Sequence, residues 1–135
     1  MTLEADYAVR IVELLASAGK RLDAHTISEE THVPLRFALK ILRKLVVDGV
    51  VVSYKGAHGG YALARPAGSI TLREVIESVE GTYMISRCQQ DEYCCTHTAS
   101  CRFHQVYDEI STMVREKLDS YTFASNEKKV ENSHK

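Results

Sequence analysis

The chain has 135 residues, 44% of them hydrophobic and 26% charged, enough for one domain and too apolar for a disordered chain. No apolar run approaches the roughly 20 residues of a membrane span. A formal net charge of −1 argues, taken alone, against a nucleic-acid partner.

The distribution of charge argues the other way. Between Val33 and Arg65 lie six cations (Arg36, Lys40, Arg43, Lys44, Lys55 and Arg65) and one acid, Asp48. Six minus one leaves +5 there and −6 for the remainder, a basic patch that whole-chain charge conceals.

Taken in chain order, Leu3 to Ala18 predicts a helix, with Ala8, Ile11, Val12, Leu15 and Ala16 on one face and Gly19 as its stop. A short second helix is expected over Ala24 to Glu30, with Asp23 or Ala24 near its start and Ile27 facing in. After a turn at His32-Val33, Pro34 suits the first turn of a third helix. That helix runs to about Asp48, with Leu35, Ala38, Leu39, Leu42 and Leu45 inward. Arg36, Lys40, Arg43 and Lys44 lie largely off that face. Val50 to Tyr54 is a β-branched run expected as a strand. Lys55 to Gly60 is a glycine-rich turn, and Tyr61 to Ala64 returns as the partner strand. Two short helices, a longer basic helix and a hairpin in that order describe a winged helix-turn-helix.

Beyond Pro66, Thr71 and Glu74 fit a capping box for a helix that carries Val75, Ile76 and Val79 and stops by Gly81. A polar segment with little periodicity follows. From Cys101 a long helix is expected to about Tyr121, with Phe103, Val106, Tyr107, Ile110, Met113, Val114, Leu118 and Tyr121 in one stripe. A stripe that long exceeds the needs of a small core, so it predicts packing against the same helix of a second copy. The overall expectation is a mainly α fold with a small β-hairpin wing. Residues 1–81 form the DNA-binding domain, 82–100 a cysteine-rich loop and 101–125 a dimerisation helix, with a disordered polar tail over 126–135.

All four cysteines fall within fourteen positions, in the pattern C-x5-C-C-x5-C-x2-H formed by Cys88, Cys94, Cys95, Cys101 and His104. Thiolates and an imidazole are ligands for zinc and for iron–sulfur centres. Structural zinc sites favour C-x2–4-C pairs, which are absent here. Gaps of five suit a larger object, a cluster with several irons. Cys101 and His104 share a face of one helical turn. Cys94 repeats the gap from Cys88 and Cys95 repeats it to Cys101, so either can ligate; His97 and Asp6 are outlying candidates. Two disulfides in a secreted chain are the alternative. The start lacks a basic segment followed by an apolar one, and adjacent cysteines are awkward to bridge, so a cytoplasmic chain with reduced thiols is expected. A redox enzyme is a weaker reading still, because no CxxC pair, nucleophile–base arrangement or phosphate loop occurs.

The second helix of a helix-turn-helix enters the DNA major groove. Pro34, Arg36, Phe37 and Lys40 are therefore the candidates for base and phosphate contact, with Arg43 and Lys44 a turn later against the backbone. Lys55 and His58, at the wing tip, are placed to reach an adjacent minor groove.

The opening Asp6-Tyr7-Ala8-Val9-Arg10, the wing Lys55 to Tyr61, the Thr71 to Ile76 helix and the cysteine segment together resemble the IscR/NsrR family of bacterial regulators, over about residues 1 to 125. The resemblance implies a homodimeric winged-helix repressor that binds palindromic double-stranded DNA and senses redox, nitric oxide or iron–sulfur status through a cluster. It carries the family's three cysteines onto Cys88, one of Cys94 and Cys95, and Cys101. The fourth ligand is a histidine placed as His104 in the IscR branch, or an N-terminal aspartate corresponding to Asp6 in the NsrR branch. The expected set is Cys88, Cys95, Cys101 and His104, with a 2Fe–2S cluster ahead of a 4Fe–4S one. The chain departs from the pattern in its doubled cysteine, in Lys55 where an arginine is usual and in His58 where a glycine is usual. A thiol- or zinc-based regulator without a cluster is the alternative.

Overall fold

Helix α1 (Leu3–Ala18) begins where the Ala5 N–H donates to the Thr2 hydroxyl at 3.1 Å. It ends at Gly19, whose φ of +64° is the left-handed conformation that releases a helix cheaply only at glycine. The computed structural model describes residues 2–85 and 102–124. Ala5, Ala8, Ile11, Val12 and Leu15 form the buried face of α1, which packs against α2 (Ala24–Thr31), α3 (Leu35–Val47) and α4 (Leu72–Glu80).

Asp23 caps α2 by accepting from the Thr26 N–H at 2.7 Å, and Ile27 is buried. The helix ends at His32, at φ +58°. The Ser28 hydroxyl then donates to the Val33 carbonyl at 2.6 Å, and Val33 closes over the core. With the Val33 N–H donating to the Ser28 carbonyl at 3.2 Å, this bond ties the turn of the helix-turn-helix to the end of α2.

Pro34 stands just outside α3 rather than in its first turn. Its ψ is extended at 137°, while its carbonyl accepts the first helical bond, from the Ala38 N–H at 2.9 Å. The buried side of α3 is Ala38, Ile41, Leu42 and Leu45. Two residues expected on that face depart from it: Leu35 is half-buried and Leu39 is 38% exposed. The helical period explains this. The buried arc centres between Ile41 and Leu42, and at 3.6 residues per turn Leu39 falls about 110° from that centre.

Gly49, at φ +76°, turns the chain into a hairpin of β1 (Val51–Tyr54) and β2 (Gly60–Leu63), antiparallel with Val51 opposite Leu63 and Tyr54 opposite Gly60. Local signals do not announce the next contact. Leu22, in the α1–α2 connection, exchanges two backbone bonds with Tyr61, at 3.0 and 2.8 Å, and adds a third short strand segment to the wing. Gly60 permits it: a Cβ there would sit 2.7 Å from the Leu22 carbonyl oxygen.

Thr71 caps α4, accepting from the Glu74 N–H at 3.1 Å. The other half of the expected capping box is diverted, because the Glu74 carboxylate pairs with Arg65. The last helix, α5 (Arg102–Asp119), packs on α4, and Arg73 bonds Asp119 at 3.0 Å. The expected stretch of helix to Tyr121 is shorter, and residues 121–123 turn back. The Leu72 N–H donates to the Tyr121 carbonyl at 2.9 Å, Thr122 bridges Thr71, and Phe123 is only 8% exposed within the main core. Part of the segment read as dimerisation helix thus completes the DNA-binding domain. Among the described residues no helix is long and apolar enough to cross a membrane. The expected tail over 126–135 lies outside the described residues.

Phe123 is the test of that return. Phe123→Ala removes a large buried ring and should cost about 3 kcal/mol or more, read as a lower urea midpoint at fixed protein concentration. A loss below about 1 kcal/mol would mean the returning segment contributes no core.

Candidate nucleic-acid interface and the cysteine segment

Burying Ala38, Ile41, Leu42 and Leu45 leaves the opposite side of α3 to solvent. Arg36, Lys40 and Arg43 occupy it, with Pro34 exposed at its start. Leu39 lies beside them, an exposed apolar residue that its hydrophobicity had assigned to the core. Such a face offers guanidinium forks to guanine edges and an apolar contact to a thymine methyl.

Two of the expected contacts lie on the flank toward α1. Phe37 is half-buried, packs on the core and sits 6.2 Å from the Tyr7 ring, because its position on the helix turns it toward α1. Lys44 lies on the same flank. Its ammonium bonds one oxygen of Glu4 at 3.1 Å while Lys40 bonds the other at 3.0 Å. The hydrogen bonds from Lys40 and then Lys44 hold the Glu4 carboxyl below its ordinary pKa. Arg65, counted in the basic patch from sequence, is paired with Glu74. Among the described residues no salt bridge involves Arg36 or Arg43.

Lys55 and His58 are both exposed at the wing tip. The turn there is tight: a Cβ on Gly59 would lie 2.5 Å from the Tyr54 carbonyl oxygen. Sequence reasoning missed the residue that braces this loop. The Arg21 guanidinium lies 3.8 Å from the centroid of the Tyr54 ring and donates to the His58 carbonyl at 3.2 Å. An arginine 37 residues before His58, beside the Leu22 bridge, thus adds charge and stiffness to the wing. A Lys20-Arg21 pair just past the expected helix stop at Gly19 was the only available signal.

Cys88, Cys94, Cys95 and Cys101 lie outside the described residues, as does His97, so the expected ligand set is observed only at its edges. Among the described residues no group of three or more His, Cys, Asp or Glu converges on one point. His104 is half-buried in the first turn of α5. Asp6, the alternative fourth ligand, is paired with Arg10 at 2.8 Å on α1.

The chain entering the cysteine segment is held firmly. The Tyr83 N–H donates to Glu77 at 2.8 Å, and Arg115 donates to the Tyr83 carbonyl at 2.6 Å. The Ile85 N–H donates to the hydroxyl of Ser111, a residue buried completely. Ile85 and Arg102, the described ends of the segment, are therefore both set on α5. Ser111 and Arg102 stand nine residues apart there, roughly 14 Å along the axis.

A helix-turn-helix with an outward cationic helix and a braced glycine-rich wing defines a winged-helix DNA-binding protein. Residues 1–126 match the Rrf2 family, described as an iron-dependent transcriptional regulator, and the chain belongs to that family. Protein aau3 of Rhizobium meliloti is 31% identical over 124 residues, covering 90% of this chain and 80% of the relative. CymR (YrzC), the global cysteine regulator of B. subtilis, is similar in structure with a TM-score of 0.74 and 25% identity, over 93% of this chain and 95% of that one. IscR of T. potens shares the fold with a TM-score of 0.74 at 23% identity, over 100% of this chain and 90% of that one. The protein is a DNA-binding transcriptional regulator, of a family whose members regulate transcription rather than catalyse reactions.

The interface predicts unequal roles for the basic residues. Arg43→Ala should flatten the log–log salt dependence of DNA binding by roughly 0.9, one phosphate contact. Arg21→Ala should weaken binding by loosening the wing while leaving the thermal midpoint nearly unchanged. Electrophoretic mobility shifts across a salt series check both; an Arg43→Ala variant with an unaltered slope would move the backbone contact off α3.

Proposed function

We propose that this chain is a homodimeric repressor acting on a palindromic operator in the cytoplasm, with an iron–sulfur cluster held by Cys88, Cys95, Cys101 and His104. The observation that carries the proposal is the donor set itself. Four thiols and an imidazole stand within seventeen positions, on a segment whose two described ends are both set on α5. That chemistry fits an iron–sulfur centre, whereas Asp6 already has a cationic partner in Arg10. A bound cluster would supply a group labile to oxidants and nitric oxide.

The chain's own residues supply a route from such a segment to the DNA. Tyr83 and Ile85 are held by Glu77 of α4 and by Ser111 and Arg115 of α5. A change in the cysteine segment therefore pulls on the α4–α5 junction, which Arg73 and Asp119 also close. Helix α4 packs in turn on α1 and α3, the latter carrying the cationic face.

A second copy is supported by α5. Phe103, Val106, Ile110 and Met113 recur at intervals of three and four residues and are exposed, Met113 to 67%. An apolar stripe of that spacing on a helix is what a partner helix covers. Two recognition helices related by a two-fold axis then address half-sites about one helical turn of DNA apart.

A thiol-based regulator without a cluster is the second reading. The adjacent Cys94 and Cys95 and the likeness to a protein named as a global cysteine regulator favour it.

Anaerobic purification separates the two readings. A cluster gives absorption bands and stoichiometric iron and acid-labile sulfide. Single changes of Cys88, Cys95 or Cys101 to Ala should abolish them, while Cys94→Ala retains them. Colourless, iron-free protein whose DNA affinity falls reversibly on oxidation would instead establish the thiol reading. For the dimer, Ile110→Lys combined with Met113→Lys should give monomers by analytical ultracentrifugation, since burying two charges costs several kcal/mol. A wild-type protein already monomeric at micromolar concentration would refute the assembly.

A further inference from the structure

The Glu4 carboxylate sits between two of the four cations that α3 directs away from the core. One oxygen accepts from Lys40 at 3.0 Å and the other from Lys44 at 3.1 Å. Glu4 is held in place from its own side, in the first turn of α1, where Thr2 caps the helix and also bonds Glu80 through its N–H and hydroxyl at 2.6 and 2.7 Å. A carboxylate with two oxygens on two ammonium groups presents the same chemistry as a DNA phosphate bridging them.

We propose that Glu4 is an internal competitor, an autoinhibitory contact that occupies Lys40 and Lys44 in the DNA-free protein and lowers its affinity for DNA. Binding to arbitrary sequence rests on phosphate contacts alone. With both lysines occupied, that mode is left with Arg36, Arg43 and the wing. On a fitting sequence, base contacts seat α3 deeply enough to bring phosphates to Lys40 and Lys44, which exchange carboxylate for phosphate. The fitted complex therefore forms at the expense of both ion pairs, and Glu4 lowers affinity there at least as much as on arbitrary sequence. The inference rests on α3 being the DNA-facing helix.

The test compares wild type with Glu4→Gln across a salt series, on a short duplex of scrambled sequence and on a duplex enriched by the wild-type protein from a random pool. Glu4→Ala is run beside it, so that an amide still accepting from the ammonium groups does not mask their release. Circular dichroism confirms folding of each variant. On the scrambled duplex, both variants should bind more tightly, with a log–log slope steeper by roughly 0.9 per released lysine, up to about 1.8. On the enriched duplex the gain should be at least as large, with the slope nearly unchanged, because wild type already exchanges carboxylate for phosphate there. Adding Lys40→Ala with Lys44→Ala should remove more slope from the Glu4→Gln protein than from wild type. Equal losses in the two backgrounds, or no gain on either duplex, would overturn the role of Glu4. If Arg43→Ala also leaves the slope untouched, the assignment of α3 to DNA fails with it; if Arg43→Ala flattens the slope, only the inference about Glu4 falls.

Discussion

The cationic helix face that the protein presents to DNA depends on how α3 is buried. Ala38, Ile41, Leu42 and Leu45 are sealed against the helices around them, each large apolar side chain contributing about 1.5–3 kcal/mol by leaving water. That burial fixes the rotation of the helix about its axis. Arg36, Lys40 and Arg43 then face outward, and Phe37 and Lys44 fall on the flank beside α1. A rotation of one residue would carry Arg43 or Lys44 toward the core, where an unpaired charge is costly. The cationic face is thus the complement of the apolar one.

The wing obeys a different constraint, the close approach of backbones. Gly59 and Gly60 stand where a side chain would collide with the carbonyls of Tyr54 and Leu22. The bridge from Leu22 to Tyr61 ties the hairpin to the connection before the helix-turn-helix, and Arg21 braces the tip through Tyr54 and the His58 carbonyl. A two-stranded hairpin alone is marginal in water, so these ties matter to where Lys55 and His58 stand.

Helix α5 serves two surfaces. One side closes on α4 through Arg73–Asp119 and takes the incoming chain at Ser111 and Arg115. The other side is the bare stripe of Phe103, Val106, Ile110 and Met113. Beyond Asp119 the chain returns to α4 and places Phe123 in the core. The segment carrying the cysteines is bounded by elements that belong to both the DNA-binding domain and the exposed stripe.

The helices, the wing and their order were legible in the sequence, because Thr2, Asp23, Thr71 and the glycines act within a few residues and the apolar period of each helix is local. The cysteine cluster and the basic stretch were legible for the same reason: composition and spacing need no fold. Tertiary structure alone decided that Leu39 is outside, that Phe37 turns to Tyr7, that Glu74 leaves its cap for Arg65, that Glu4 holds Lys40 and Lys44, and that Arg21 braces the wing. Each of these contacts joins residues on different elements or depends on which side of a helix is covered. Hydrophobicity states how much of a chain must be buried; which side of each helix is buried, and which charges then meet, follows only from the packing of the other helices around it.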